Sequence, residues 1–232
     1  MIVIFGAGGG LGQALVNQYV ERGEQVLAIS RQVAPANSGG QWLQVLGYEA
    51  EYLQPLAEQL AQQHITGVIS TLGVLYDDHF MPEKRLDELD TEHLLRSYYV
   101  NAVLPVALLQ WLKPYLPTKQ SCFWVQLSAK VGSITDNQLG GWYSYRASKA
   151  ALNMLLKTAA IELARSHKQL TIAAIHPGTT DTQLSKPFQG RLSADKLYSP
   201  RLSAQRIAAV IDSLEPSESG GLWHWDGTRL PY

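Results

Sequence analysis

The chain has 232 residues, 46% of them apolar and 17% charged, with a formal net charge of -1. Such a length and composition suit one globular domain with a full core and exclude a disordered chain. The near-neutral balance offers no broad electrostatic footprint for nucleic acid or an anionic membrane, which leaves a small molecule as the expected partner.

In chain order, "MIVIF" reads as a strand and "LGQALVNQYVERG" as a helix ended by Gly23. The opening run lacks the basic segment and cleavage pattern of a signal peptide. "EQVLAIS" is a second strand, "QWLQVL" a third, and Pro55 to His64 a helix. "TGVISTLG" is a fourth strand running into glycine. The span from Asp87 to Leu112 has helical period, with Pro105 expected to bend or break it.

"SCFWVQLS" reads as a buried strand, followed by a helix from about Ser144 to Ser166, and "LTIAAIHPG" as a sixth strand. Residues of about 180 to 200 form a polar, Pro- and Gly-punctuated insertion. "SAQRIAAVIDSLE" is a helix, and "GGLWHWDG" closes the order as a seventh strand. Strand and helix alternate throughout, which predicts one α/β domain over 1–232: a doubly wound parallel sheet of about seven strands with helices on both faces. Ligands of such sheets bind beyond the carboxyl ends of the strands.

No stretch approaches the roughly 20 apolar residues that span a bilayer. Cys122, the only cysteine, lies in an apolar run and is expected to pack as a small hydrophobe, and cytoplasmic residence fits. The six histidines show no metal-ligand spacing, so no metal is expected.

The turn "FGAGGGLGQAL" fails the G-x-G-x-x-G spacing in every register but fits G-x-x-x-G-x-G at Gly6, Gly10 and Gly12. Such a turn lets backbone approach a pyrophosphate and aims the following helix N-terminus, around Leu11, at that charge. A dinucleotide is therefore expected rather than an empty turn. The second strand ends in Ser30 and Arg31 without a carboxylate. An acidic residue there would favour NAD, whereas Arg31 can pair with the 2′-phosphate of NADP. NADP(H) is expected over NAD(H), with Arg31 as a plain solvated charge the alternative.

In "GGWYSYRASKAALNML", Tyr145 and Lys149 are four apart and share a helix face, whereas Tyr143 and Lys149 do not. A phenol titrates near pH 10, and a neighbouring ammonium favours its anion. An isolated Y-x-x-x-K is more often ordinary helix surface, so the context decides.

The context resembles the short-chain dehydrogenase/reductase family over nearly the whole chain. The matching pieces are Gly6/Gly10/Gly12, "VNA" around Asn101, "LSAKVGS" around Ser128, "YRASK" with Tyr145 and Lys149, and "HPGTTDT" from His176 to Thr182. "GSITDNQLGGWYSYRASKAALNM" and the "WDG" ending resemble the carbonyl-reductase branch that includes the sniffer and C-factor proteins. The resemblance implies a Rossmann-type fold with Tyr145 as acid/base and Lys149 lowering its pKa and holding the nicotinamide ribose. It implies Ser128 bonding the substrate oxygen and Asn101 organising a relay water. It also implies Gly73, Pro177, Gly178, Thr180 and Thr182 near the cofactor.

Ser133 rivals Ser128, which is preferred for its place at the strand end. Two departures stand out: "STLG" at Ser70–Gly73 replaces the usual "NNAG", and no Asp follows the third strand to meet adenine. Trp142, Tyr143, Val74, Leu75 and Phe188 are the expected substrate-pocket residues, with "SKPFQG" as a lid. Three activities fit: NADPH-dependent reduction of a small or medium carbonyl compound, an NADP-binding signalling protein of C-factor type, and an NAD-linked alcohol dehydrogenase. The first is preferred, because pure binding needs no acid/base. The surplus of apolar residues on the two long helices suggests a homodimer.

Overall fold

The computed structural model describes residues 1–36 and 38–232. The strands are β1 Ile2–Phe5, β2 Val26–Ser30, β3 Gln41–Gln44, β4 Gly67–Ser70, β5 Cys122–Leu127, β6 Leu170–His176, β7 Thr179–Thr180, β8 Leu197–Tyr198, β9 Gly221–His224 and β10 Arg229–Leu230. The α-helices are α1 Gly10–Glu21, α2 Gln54–Leu60, α3 Thr91–Tyr98, α4 Leu104–Leu112, α5 Tyr143–Leu163 and α6 Pro200–Ser213.

The main sheet runs β10-β9-β6-β5-β4-β1-β2-β3. Seven of these strands pair in parallel, as the alternating pattern predicts; β10 adds an antiparallel edge on β9. Side chains alternate between the two faces of a strand. Ile2 and Ile4 of β1 accordingly pack with Leu15 and Val16 of α1 and Ile207 and Ile211 of α6. Val3 and Phe5 pack with Leu56 of α2, Leu108 of α4 and Leu152 of α5. Both faces being covered, the inner strands are apolar along their whole length. β1 pairs with both β2 and β4, so the strand order reverses there and a crevice opens beyond the ends of β1 and β4.

The helical span expected from Asp87 starts later. Leu86–Glu88 is a separate 3-10 turn, and α3 begins after Asp90, whose carboxylate accepts the His93 N–H at 2.8 Å. α3 continues into α4 through a wide π-turn at Tyr99–Val103. Pro105 brings no N–H for a regular helical bond, and the wider turn just before it absorbs that defect. Asn101 sits in this turn. The insertion expected at about 180–200 holds 3-10 turns at Gln183–Arg191 and Ala194–Lys196, enclosed by a small parallel pair of β7 with β8.

Candidate active site

The glycine turn is tight because α1 must seat directly on the end of β1. Gly6 has φ +76°, and a Cβ on Gly12 would fall 2.3 Å from the Gly6 carbonyl oxygen. The first N–H groups of a helix have no intrahelical acceptor. In α1 no side chain caps them and no acidic residue lies in the first turn. Gly10 faces Thr182, whose Cγ2 would lie 3.2 Å from a Cβ placed there. The Ser30 hydroxyl accepts the Gln32 N–H at 2.9 Å. The Arg31 guanidinium lies 5.9 Å from the Tyr48 ring centre.

These groups open on one cleft of about 1770 Å³. Gly6, Gly10, Leu11, Gly12, Ser30, Arg31 and Tyr48 line it on the glycine-turn side. Gly73, Ser128, Tyr145, Lys149, Pro177, Gly178, Thr180 and Thr182 line it further along, and Leu75, Trp142 and Phe188 form an apolar wall. Among the described lining residues Asp136 is the only acid, so no carboxylate lines the cleft at the end of β2. A bare helix N-terminus, an unopposed arginine and a glycine cradle fit a phosphorylated dinucleotide.

Lys149 is 3% exposed, its Nζ donates to the Leu127 carbonyl oxygen at 3.0 Å, and it stands 5.8 Å from the Tyr145 ring centre. Burial holds the Lys149 ammonium down to about 7 and pushes the Tyr145 phenol above its ordinary value. Burial thus opposes the lowering of the phenol expected from the lysine. Tyr145 is a phenol here, the proton-donating form.

Ser128 Oγ donates to Asn153 Oδ1 at 2.8 Å, and Asn153 Nδ2 reaches the Gly132 carbonyl oxygen at 3.4 Å. Ser133 is buried, its hydroxyl accepts the Asp136 N–H, and it does not line the cleft. The Asn101 amide is fully engaged. Its Oδ1 accepts the Val74 N–H at 2.7 Å, and its Nδ2 donates to the Val74 carbonyl oxygen at 2.8 Å and to Ser148 Oγ at 3.0 Å. Both amide hydrogens are thereby occupied, so Asn101 clamps the loop after β4 to α5. A Cβ on Gly73 would lie 3.3 Å from Asn101 Oδ1 and 3.4 Å from Lys149 Nζ, so only glycine leaves this space open.

Two expected pocket residues lie elsewhere. Val74 is held by Asn101 through its backbone and does not line the cleft, its neighbour Leu75 doing so instead. Tyr143 is the first residue of α5, 38% exposed and outside the lining. Trp142 packs edge-on against Phe188, with ring centres 5.0 Å apart, and against Tyr145 at 6.1 Å.

The bonds usually made by "NNAG" come from other side chains. Thr71 Oγ1 donates to the Phe5 and Gly6 carbonyl oxygens, 3.1 Å from each, and Gln126 Nε2 donates to the Leu72 carbonyl oxygen at 2.9 Å. Tyr48 occupies the region where the missing Asp was expected. The Cys122 thiol is buried and pushed up to about 12, and burial and then His224 hold the cleft-lining His176 down to about 3. Neither carries a charge at neutral pH.

Fold and site together define a doubly wound α/β protein whose glycine turn, buried tyrosine and buried lysine open on one cleft. The short chain dehydrogenase model matches residues 1–192. Over its whole length the chain is 30% identical to 1-hydroxy-2-glutathionyl-2-methyl-3-butene dehydrogenase of Rhodococcus sp. AD45, covering 99% of that protein. It is 29% identical to the C-signal protein of Myxococcus xanthus over 63% of this chain and 83% of that one. The NADPH-bound carbonyl reductase from chicken fatty liver superposes with a TM-score of 0.85 at 21% identity, covering 100% and 98% of the two chains. The chain belongs to the short chain dehydrogenase family, whose members are NAD(P)-dependent oxidoreductases. Among the described residues, no helix is long and apolar enough to cross a membrane.

Proposed function

We propose that this oxidoreductase uses NADPH to reduce a small or medium, partly apolar carbonyl compound to its alcohol. The observation that carries the reading is the meeting of Ser128, Tyr145 and Lys149 in one cleft with the glycine turn and Arg31. The uncapped N-terminus of α1 would receive the pyrophosphate. Ser30 and Arg31 would hold the 2′-phosphate, which would separate NADPH from NADH. Gly73 would leave room for the nicotinamide ribose beside Lys149, and Pro177, Gly178, Thr180 and Thr182 would help hold the nicotinamide. When bound, NADPH supplies the hydride that reaches the carbonyl carbon.

The chain's own residues manage the proton. Tyr145, kept protonated by burial, gives its hydrogen to the substrate oxygen as negative charge builds there. Ser128 turns its hydroxyl hydrogen from Asn153 towards the same oxygen. Lys149 stabilises the phenolate left behind, and a lysine titrating at about 7 exchanges a proton readily near neutral pH. Trp142, Phe188 and Leu75 keep water from the reacting atoms.

The test is NADPH consumption with a panel of carbonyl compounds. Tyr145→Phe is expected to lower turnover by about 100-fold or more, with NADPH binding retained. Turnover that survives this change refutes the mechanism, and turnover on no carbonyl favours the signalling reading. In the same assay Arg31→Ala is expected to raise KM for NADPH by about ten-fold and leave KM for NADH unchanged. A variant that keeps its preference removes Arg31 from cofactor choice.

Cytoplasmic residence and a homodimer belong to the same reading. Leu95 and Tyr98 of α3 and Tyr99 of the following π-turn, with Met154 and Ile161 on α5, leave large apolar side chains exposed on helical segments that pack together. A monomer by light scattering at working concentration contradicts the dimer.

A further inference from the structure

A buried polar cluster lies beside the cleft and plays no part in the chemistry above. Glu83 and His93 are 2% and 5% exposed, with Glu83 Oε1 3.1 Å from His93 Nδ1. Met81, Pro82 and Lys84 of the same segment line the cleft, whereas Glu83 turns inward. Its carboxylate accepts the Ser144 N–H at 3.1 Å through Oε2 and the Ser144 hydroxyl through Oε1. Its backbone carbonyl accepts the Trp142 N–H. One residue therefore holds two of the three residues immediately before Tyr145, by side chain and by main chain.

That stretch needs holding. Gly140 and Gly141 both have φ +64°, and Trp142 follows at φ 53°, the only non-glycine with positive φ among the described residues. A left-handed tryptophan is unfavourable by itself and persists where its surroundings over-determine it. Trp142 is also the N-cap of α5 and supplies no side-chain cap, so the Glu83 carboxylate takes that place from another part of the chain. The other end of the tether is His93 on α3, eight residues before Asn101 on the same continuous helix. His93 is itself fixed by stacking on Phe80 at 3.8 Å between ring centres and by its N–H bond to Asp90. Glu83 thus joins the helix carrying Asn101 to the start of the helix carrying Tyr145 and Lys149.

We infer that Glu83 is a positioning residue, which through Ser144 and His93 fixes the first turn of α5 and so sets the Tyr145 phenol against Ser128 and the Trp142 wall. This rests on the proposed role of Tyr145, and the test separates the two. Glu83→Gln keeps the shape, but its amide group has one acceptor oxygen for the donors of Ser144 and His93. It is expected to lower kcat by about ten-fold, the scale of a lost bond to a charged group, while KM for NADPH stays unchanged. Ser144→Ala leaves the backbone bond to Oε2 and is expected to lose less. His93→Gln keeps a donor towards the carboxylate and should retain most activity, whereas His93→Leu should not.

Unchanged kcat in Glu83→Gln, or a parallel change in kcat and both KM values, overturns the inference in favour of a purely structural contact. Hydrogen exchange gives a readout that needs no turnover. Faster exchange confined to residues 142–148 in Glu83→Gln supports the tether, and unchanged exchange there overturns it. Should Glu83→Gln fail to fold, Ser144→Ala decides by the same exchange and the same kcat-to-KM comparison. Wild-type protein that consumes no NADPH would refute the role of Tyr145 and leave the exchange result to judge Glu83.

Discussion

Ser128 presents a hydroxyl whose hydrogen is already given to Asn153. Asn153 belongs with the candidate site although no motif marks it. Its spacing was nevertheless visible, because Tyr145, Lys149 and Asn153 follow one another at four-residue steps and share a face of α5. The amide contributes by fixing the position of Ser128 Oγ until a substrate oxygen takes over its hydrogen, since Nδ2 is turned towards Gly132 and leaves Oδ1 for the serine. Asn153→Ala is therefore expected to release the Ser128 hydroxyl and reduce kcat about five-fold, the value of roughly one neutral hydrogen bond. KM for NADPH should not move, because Asn153 does not line the cleft. Steady-state kinetics with varied cofactor and carbonyl check both numbers, and an unchanged kcat would show that Ser128 needs no such fixing.

At the scale of elements, the pattern of apolar runs located the strands of the parallel sheet and most helices, because a sheet buried on both faces writes continuous apolar segments. β10 was missed: a two-residue edge strand carries no periodicity of its own, and its pairing with β9 exists only after the chain has turned. The start of α3 was placed too early because Leu86 and Leu89 continue the helical spacing, although Asp90 is the capping residue that opens the helix. Pro105 signalled a disturbance correctly, but its form, a π-turn that places Asn101 against Val74 and Ser148, depends on contacts far apart in the chain. The same holds within the site. Glycine spacing and the Tyr–Lys step are local and were legible, together with the lining of the cleft by Arg31 and Ser128. The bonds of Gln126 to Leu72 and of Glu83 to Ser144 join segments more than 50 residues apart, and no local pattern announces them.

For the whole molecule, the most telling consequence of building this cleft is a buried lysine. Lys149 is 3% exposed and its ordinary value of 10.5 is held down to about 7 by burial. In the unfolded chain it regains its ordinary value. The folded protein therefore binds fewer protons than the unfolded chain between about pH 7 and 10.5, and stability rises with pH across that window. Below about pH 7 both states carry the charge, and the folded state bears the full cost of burying it. Each pH unit of depression corresponds to about 1.4 kcal/mol, so the cost is on the order of a few kcal/mol. Above 10.5 both states are neutral and the cost disappears. Lys149→Met, close in shape and uncharged, is expected to be more stable than the wild type at pH 6, with the advantage shrinking steadily towards pH 10. Urea unfolding of the ligand-free protein at several pH values measures this difference directly. A gap between wild type and variant that stays constant with pH would mean that Lys149 titrates alike in both states, and that the cleft does not hold its ammonium down.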